Sequence, residues 1–194
     1  MKVTLAIPSN RLITPKTAEC VMKLVAHGGY DFHILVASEG YTIAENRNWI
    51  AVQALNNLSD YLLMIDDDMV FEPDLLDRMV AVNKEILGVA YHPRSATGTI
   101  SKYLDETHIV NLESNDDPKY KQPFKCYATG TGIILIKCGI FLKIPRPWFE
   151  FEWFPNGACK TGEDWMFCIK AGKVGIETWC DPTIPVGHLG DVIL

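Results

Sequence analysis

The sequence predicts an α/β fold in which a mostly parallel central sheet is flanked by helices. Two observations predict this class. In the first half of the chain, short apolar segments alternate with amphipathic segments at helical spacing. One of those apolar segments, Tyr61–Ile65, runs directly into three consecutive aspartates, Asp66, Asp67 and Asp68. The length of 194 residues and the 48% hydrophobic content suit one globular domain, residues 1–194.

The elements of the first half follow from local signals. Val3–Ile7 is predicted to be the first strand, and Pro15 opens a helix that Gly28 and Gly29 end. The next elements are a strand over Phe32–Ala37, a helix from about Glu45 to Leu58, the strand Tyr61–Ile65, a helix that Pro73 opens, and a strand over Leu87–Tyr91. The helical stripes predicted to be buried are Ala18, Val21, Met22 and Val25, then Ile50, Ala51, Ala54, Leu55 and Leu58, then Leu75, Leu76, Met79, Val80 and Leu87.

The second half has a different character. Residues 93–125 are polar and rich in turn residues, which is typical of a lid or binding loop, with a small hairpin within it. Ile133–Ile136 is predicted to be a buried strand, and a helix runs from Glu163 to Ala171, where Gly172 ends it. The aromatic segment Trp148–Phe154 is expected to pack in the core, with stacking on a sugar or base as the alternative. Thr178–Cys180 is the last predicted strand.

Composition excludes several classes of protein. The net charge of −6 argues against a dedicated nucleic-acid binder, and no apolar run approaches the roughly 18 residues of a membrane span. None of the six cysteines forms a C-x-x-C pair, so a zinc cluster is not expected. Cysteines within apolar stretches indicate reduced thiols and a cytoplasmic protein.

Three polar segments follow predicted strand ends and should converge on one crevice. They are Pro8, Ser9, Asn10 and Arg11, then Ser38 and Glu39, then Asp66 to Asp68. Ligands of such sheets bind outside the carboxyl ends of the strands. The aspartates repel one another and need a cation, for which hard oxygen ligands favour Mn²⁺ or Mg²⁺. Strand alternation places Asp66 and Asp68 on one side and Asp67 on the other.

Taken together, these residues resemble a nucleotide-sugar glycosyltransferase of the GT-A type (Rossmann-like), close in pattern to glycosyltransferase family 2. The matching elements are the D-x-D-like Asp66-Asp67-Asp68, the Arg47-Asn48 pair, Gly130-Thr131-Gly132, Glu163-Asp164, and His188 between Gly187 and Leu189-Gly190. The resemblance implies that Asp66, Asp68 and His188 bind the metal. It implies a catalytic role for Glu163 and Asp164. The residues expected to contact the donor are Pro8, Ser9, Asn10, Arg11, Glu39, Arg47, Asp66, Asp67, Gly130 and Gly132.

Physical chemistry supports these roles. Glycosyl transfer develops negative charge on the departing diphosphate, which a divalent cation neutralises. The acceptor hydroxyl needs a general base, for which Asp164 is the candidate. Each role has a structural alternative: Asp164 completes a capping box with Thr161, His188 is a surface histidine, Arg47 is a solvated helix residue, and Gly130 and Gly132 only allow close backbone passage.

The resemblance implies a metal-dependent transferase that moves a sugar from a UDP- or GDP-sugar to an acceptor hydroxyl. Residues 1–92 are the expected nucleotide-binding half, and residues 93–194 are the expected acceptor side with a lid-like loop over 93–125. The acceptor is open among a glycan, a lipid-linked intermediate, a protein side chain and a modified nucleic-acid base.

Two other classes remain as alternatives. Asp66 to Val70 also fit the D-x-D-x-V motif of haloacid-dehalogenase-like phosphatases, in which Asp66 is the nucleophile. That fold carries the motif on its first strand, whereas two predicted strands precede Asp66 here. The other alternative is a nucleotide-binding module without catalysis, against which the presence of Asp164 and His188 counts.

Overall fold

The structure of the chain is a computed structural model that describes residues 1–9, 12–37, 42–92, 101–105, 107–114 and 116–189. The strands are β1 (Lys2–Pro8), β2 (Asp31–Ala37), β3 (Tyr61–Ile65), β4 (Met69–Phe71), β5 (Ile86–Val89), β6 (Ser101–Tyr103), β7 (Ile109–Asn111), β8 (Phe124–Cys126), β9 (Ile133–Lys137), β10 (Glu152–Trp153), β11 (Cys159–Thr161), β12 (Thr178–Asp181) and β13 (Val186–His188). The helices are α1 (Pro15–His27), α2 (Ile43–Asn56), α3 (Leu75–Val82) and α4 (Glu163–Lys173), with 3₁₀ turns at Pro118–Lys121 and Cys138–Leu142.

The central sheet has seven strands in the order β2-β1-β3-β9-β5-β12-β8. Five strands run in one direction, while β9 and β8 run in the opposite direction. The predicted α/β class with a mostly parallel sheet is therefore confirmed. Strand β9 lies antiparallel between β3 and β5, and its residues Ile133–Ile136 are buried. Apolar residues without alternation are what a strand covered on both faces requires.

Helices cover both faces of this sheet. Leu62 and Met64 of β3 belong to the core that contains Ile50 of α2 and Phe167 of α4. Leu63 and Ile65 alternate to the other face and join the core that contains residues of α1 and α3. The sheet therefore presents its strand ends between two helical layers, with α2 and α4 on the same side.

The residues predicted to be buried on three helices were partly wrong. Leu87 lies in β5, beyond the end of α3 at Val82. The buried residues of α1 are Thr17, Cys20, Val21 and Leu24, and Met22 is 64% exposed, because the face against the sheet is centred one residue earlier than the apolar residues indicate. Leu58 is 83% exposed because α2 ends at Asn56 and Leu58 takes a left-handed backbone with φ of 53°.

Some predicted helix ends also differ. Helix α3 begins at Leu75 rather than Pro73, with Asp74 as its N-cap. Helix α4 passes through Gly172 and ends at Lys173, and the glycine with left-handed backbone is Gly175, whose φ is 81°. A glycine in the last turn can keep the helical conformation, so the presence of Gly172 alone did not identify the end of the helix.

The aromatic segment is divided between core and surface. Trp148 and Phe149 are each 1% exposed, and the indole Nε1–H of Trp148 donates to the Phe141 carbonyl at 2.9 Å. Trp153 is 58% exposed and Phe154 is 48% exposed, on the hairpin of β10 and β11. The core prediction holds only for the first part of the segment.

The remaining short strands form small sheets. Strands β6 and β7 pair antiparallel, which confirms the small hairpin predicted within residues 93–125. Strand β13 pairs antiparallel with β4, a contact that the sequence did not predict. The six cysteines are free thiols, and all but Cys159 are buried. Among the described residues, no helix is both long and apolar enough to cross a membrane.

Candidate functional site

A cavity of about 510 Å³ opens beside the ends of β1 and β3 and the first turns of α2 and α4. Its volume falls in the range of small-molecule sites. Both halves of the chain contribute to it. The lining residues are Pro8, Ser9, Ile43, Arg47, Asp66, Asp67, Tyr91, Thr131, Glu163 and Asp164.

Three segments fix the backbone of the aspartate triplet. The Asp66 amide donates to the Gly132 carbonyl at 2.8 Å, and the Asp67 carbonyl accepts from the Thr14 amide at 2.9 Å. The Asp68 carbonyl accepts from the Leu189 amide at 2.9 Å. Strand β3 ends at Ile65, so these residues form a turn and do not alternate. Asp66 and Asp67 line the same cavity, and the prediction that Asp67 faces away from Asp66 was wrong.

Arg47 joins two of the carboxylates in the cavity. Its guanidinium donates to Asp66 Oδ1 at 3.0 Å and forms a second ion pair with Glu163. The Arg47 side chain is only 5% exposed, so the alternative of a solvated helix residue was wrong. Helix α2 holds this position through a capping box, in which the Glu45 amide donates to the Thr42 hydroxyl and the Thr42 amide donates to the Glu45 carboxylate.

The electrostatics of Asp66 combine burial with two kinds of neighbour. Burial raises the pKa of its carboxyl, while the Arg47 charge and hydrogen bond lower it, and the nearby Asp68 and Asp67 carboxylates raise it further. Asn48, the other half of the Arg-Asn pair, has a structural role instead. Its side-chain amide donates to the Phe149 carbonyl at 2.6 Å and accepts from the Trp148 amide at 2.9 Å.

Asp67 is held by the first strand. The Ser9 hydroxyl donates to Asp67 Oδ2 at 2.5 Å, and both residues are buried. The Ser9 amide donates to the Ala37 carbonyl of β2, which fixes the end of β1. Pro8 and Ser9 therefore line the cavity together with the triplet, as the convergence of strand ends predicts.

Asp68 faces His188 through the pairing of β4 with β13. Met69 lies opposite His188 in that pairing, and the distance from His188 Nε2 to Asp68 Oδ1 is 3.2 Å. The two side chains are 11% and 3% exposed. His188 is consequently not an exposed surface histidine. Its ring also packs edge-on against Tyr91, with 5.6 Å between the ring centroids.

The Asp68–His188 pair fits a divalent cation. The His188 Nδ1 atom lies 3.0 Å from the His92 carbonyl, which can only accept, so Nδ1 carries the proton of a neutral ring. Nε2 then presents a lone pair to a carboxylate oxygen, and that arrangement requires either a second proton or a metal ion. A backbone carbonyl behind a histidine is a common feature of metal-ligating imidazoles.

The distance of 3.2 Å between His188 Nε2 and Asp68 Oδ1 agrees with two ligands of one metal ion. Neighbouring ligands that lie about 2.1 Å from an octahedral Mg²⁺ are about 3 Å apart. Asp66 was predicted to join the same metal, but its Oδ1 is bonded to Arg47. Among the described residues, no group of three or more His, Cys, Asp or Glu side chains is placed to hold a metal ion. Two protein ligands are compatible with Mg²⁺, which keeps several waters and binds substrate phosphates.

Tyr91 is the site residue that sequence reasoning missed. The Gly132 amide donates to its hydroxyl at 3.0 Å, and burial raises the pKa of that hydroxyl. A Cβ atom at Gly130 would overlap the Tyr91 hydroxyl, and one at Gly132 would lie 2.6 Å from Tyr91 Cζ. Both glycines thus make room for the tyrosine, and the cavity-lining residue between them is Thr131. The position of Tyr91 after the end of β5 was the available sequence signal.

Asp164 lies at the start of α4, on the cavity. The helix N-cap is Gly162 with no side-chain cap, so the alternative of a capping box with Thr161 was wrong. Asp164 Oδ1 accepts from the Trp165 amide at 2.8 Å, and its Oδ2 is oriented toward Gly130. Acidic residues in a first turn are also stabilised by the helix dipole. Asn10, Arg11 and Glu39, which were predicted to contact the donor, lie outside the described residues.

The chain was compared with protein families, curated proteins and solved structures. No protein-family model and no curated protein matches the chain. The structure of A197 from STIV is similar with a TM-score of 0.63 and 19% identity, over 98% of this chain and 87% of that one. The inositol-1-phosphate CTP transferase from T. maritima has a TM-score of 0.53 and 12% identity, over 100% and 91%.

A glycosyltransferase is also among these structures. GalNAc-T7, crystallised with UDP, GalNAc and Mn²⁺, has a TM-score of 0.57 and 11% identity. The match covers 96% of this chain but 43% of GalNAc-T7, so the chain spans less than half of that protein. Identities this low establish the fold alone. The chain has the GT-A type fold of nucleotide-sugar glycosyltransferases.

Proposed function

We propose that the chain is a metal-dependent glycosyltransferase that moves a sugar from a UDP- or GDP-sugar to an acceptor hydroxyl. One observation carries the proposal: distant segments bring the Asp66–Arg47–Glu163 ion-pair chain to the cavity wall, with the Asp68–His188 pair directly behind it. Asp68 follows the lining residue Asp67 in the chain, and the His188 ring packs against the lining residue Tyr91. Mutually repelling carboxylates are costly to bury unless positive charge lies beside them, and Arg47 supplies only one such charge. A divalent cation would supply the rest, and a diphosphate would be attracted to that cation and to Arg47.

Asp68 and His188 would hold Mn²⁺ or Mg²⁺ in this proposal, with Asp66 adjacent. The cation would neutralise charge on the departing diphosphate. Arg47 keeps its charge at any physiological pH and presents it beside Asp66, where donor phosphates would meet it. Pro8, Ser9 and Asp67 would form the wall against the nucleoside. Donor contacts from Asn10, Arg11, Glu39, Gly130 and Gly132 stay predictions.

Asp164 is the proposed general base. Its carboxylate lines the cavity, where an incoming hydroxyl would lose its proton. Glu163 is largely buried against Arg47, so its proposed role is to orient that guanidinium. We further propose that residues 1–194 act as one catalytic domain, because residues 1–92 and residues 93–194 both line the cavity.

The position of the motif counts against the phosphatase alternative. That fold carries the D-x-D-x-V motif on its first strand, whereas Asp66 here follows β3, the third strand of the chain. The non-catalytic alternative predicts donor binding with no release of the nucleoside diphosphate, which a turnover assay measures.

A thermal-shift panel of UDP- and GDP-sugars, with Mn²⁺ or with EDTA, tests the proposal. A donor at 100 times its Kd should stabilise the chain by about 2.7 kcal/mol with Mn²⁺ and much less with EDTA. Asp68→Ala should abolish the Mn²⁺-dependent part, and Asp31→Ala, at an exposed position on the edge strand β2, is the matched control. Equal donor affinity of Asp68→Ala and the unmodified chain, measured by calorimetry, would contradict the metal role.

A further inference from the structure

A second cavity, of about 730 Å³, lies along helix α4 and is not part of the site described above. The hairpin of β10 and β11 forms one wall, and the helix from Trp165 to Lys173 forms another. We name it the α4 groove and define it by Tyr127, Glu152, Lys160, Thr161, Trp165 and Gly172. Its size is that of a site for a small ligand.

The α4 groove has two partly buried aromatic residues beside a polar edge. Tyr127 and Trp165 both pack against the core that underlies α4. On the hairpin, Lys160 Nζ lies 2.9 Å from Glu152 Oε1, and the Thr161 hydroxyl donates to Glu152 Oε2 at 3.2 Å. The Lys160 hydrogen bond lowers the pKa of Glu152, which keeps this carboxylate ionised at neutral pH.

The groove and the first cavity adjoin the same turn of α4. Glu163 and Asp164 line the first cavity, while Thr161 and Trp165 line the groove. The Trp165 amide donates to Asp164 Oδ1 at 2.8 Å, so the groove begins at the residue bonded to the proposed base. The end of the groove formed by Thr161 and Trp165 therefore lies at the same first turn of α4 as Asp164.

We propose that the α4 groove binds an oligosaccharide, as the acceptor whose terminal hydroxyl reaches Asp164. A pyranose ring has an apolar C–H face that suits Tyr127 and Trp165, and its hydroxyls both donate and accept. Glu152 accepts, Lys160 donates, and Thr161 does both. A lipid chain would form no hydrogen bonds with that polar edge. This inference rests on the proposed function, because a groove can be an acceptor site only if the adjacent cavity binds a sugar donor.

Gly172 allows a sharp test of the groove. It is an exposed helical position that lines the groove, and a Cβ atom there meets no neighbour within 4 Å. Gly172→Phe should therefore fill the groove without disturbing the core. Gly172→Ala is the first control, since it improves helix propensity by about 1 kcal/mol and adds only a methyl group. Gly139→Phe is the second, at another exposed glycine with open space around its Cβ position.

The probe is an array of immobilised oligosaccharides, two to four residues long, built from glucose, galactose, mannose and N-acetylglucosamine. We expect the unmodified chain, Gly172→Ala and Gly139→Phe to bind the same member, and Gly172→Phe to bind it at least 10-fold more weakly. Donor hydrolysis by water, measured as nucleoside diphosphate release, should be equal in all four proteins.

The outcomes separate this inference from the proposed function. No binding to any sugar, or equal binding by Gly172→Phe, would overturn the α4 groove as the acceptor site even if the donor is hydrolysed. Binding to a peptide library in place of the sugars would overturn it as well. Sugar binding that Gly172→Phe abolishes, in a chain that neither binds nor hydrolyses any donor, would overturn the proposed function and leave the saccharide groove standing.

Discussion

At the scale of single residues, Arg47 organises the candidate site. A buried guanidinium between two carboxylates offsets part of their charge and fixes their positions. Removing one partner of such a buried pair typically costs about 3–5 kcal/mol, because the remaining charge is left uncompensated. Arg47 is thus a residue whose removal affects folding as well as binding, so it is a poor choice for testing catalysis alone.

Asp164 is a better residue than Arg47 for a test of catalysis. Asp164→Asn preserves the oxygen that accepts from the Trp165 amide, so the start of α4 should be unchanged. The amide cannot accept the acceptor's proton, and transfer should fall by at least about 10². Donor affinity, measured by calorimetry with Mn²⁺, should be unchanged. Asp117→Asn, at an exposed surface turn, is the control, and transfer by Asp164→Asn close to the unmodified rate would eliminate Asp164 as the base.

Most of the residues that line the cavity were predicted from the sequence. The aspartate triplet is a recognisable charge cluster, and the resemblance to the glycosyltransferase pattern implied roles for Arg47 and the Glu163–Asp164 pair. Tyr91 was not recognised, since a tyrosine at the end of a strand has no distinctive spacing. Its importance comes from its contact with Gly132, which depends on the pairing of β5 with β9 in the folded sheet.

At the scale of elements, the short pairing of β4 with β13 brings His188 to Asp68. Each strand has three residues, and the two are separated by more than a hundred positions. Three residues are too few to show a periodic pattern, so the sequence carries no signal of the pairing. The hydrogen bond from the Leu189 amide to the Asp68 carbonyl extends the same contact.

The packing of Tyr91 against the glycines gives an element-scale prediction. Gly130→Ala should destabilise the chain by about 1–3 kcal/mol, because the new methyl group overlaps the Tyr91 hydroxyl. Tyr91→Phe removes that oxygen and should restore part of the loss in the double variant. Gly132→Ala should not be rescued, since its Cβ would meet the ring carbon Cζ. Urea unfolding measures all three, and additive losses in the Gly130→Ala, Tyr91→Phe pair would contradict this packing.

At the scale of the whole molecule, two helical layers are held against one sheet, and α1 and α3 share one of them. An exposed cluster of His27, Tyr30 and Asp77 connects the end of α1 to α3. Asp77 of α3 accepts from the Tyr30 hydroxyl at 2.6 Å and lies 2.9 Å from His27 Nε2 at the end of α1. The Tyr30 hydrogen bond, followed by that of His27, lowers the pKa of Asp77.

This cluster predicts a pH dependence of stability. A carboxyl whose pKa is lower in the folded state stabilises the chain above its unfolded pKa, about 3.9, and loses that contribution as the pH falls through the lowered value. Asp77→Asn should therefore reduce the free energy of unfolding at pH 7 by no more than about 1 kcal/mol, since the pair is exposed. The difference from the unmodified chain should shrink toward pH 3. Urea unfolding at both pH values, with Asp31→Asn as control, measures it, and a loss that grows on acidification would refute the assignment.

The sequence alone was enough to predict the class of fold, most strand positions and the carboxylates of the cavity. Hydrophobic runs, turn residues and charge clusters depend on only a few neighbouring residues, so they can be recognised in the sequence. Packing between distant segments decided the other features. These are the antiparallel insertion of β9, the contact of His188 with Asp68, and the turn that brings Asp66 and Asp67 to one side. Such contacts depend on which surfaces remain uncovered once the sheet has assembled, and no short stretch of chain contains that information.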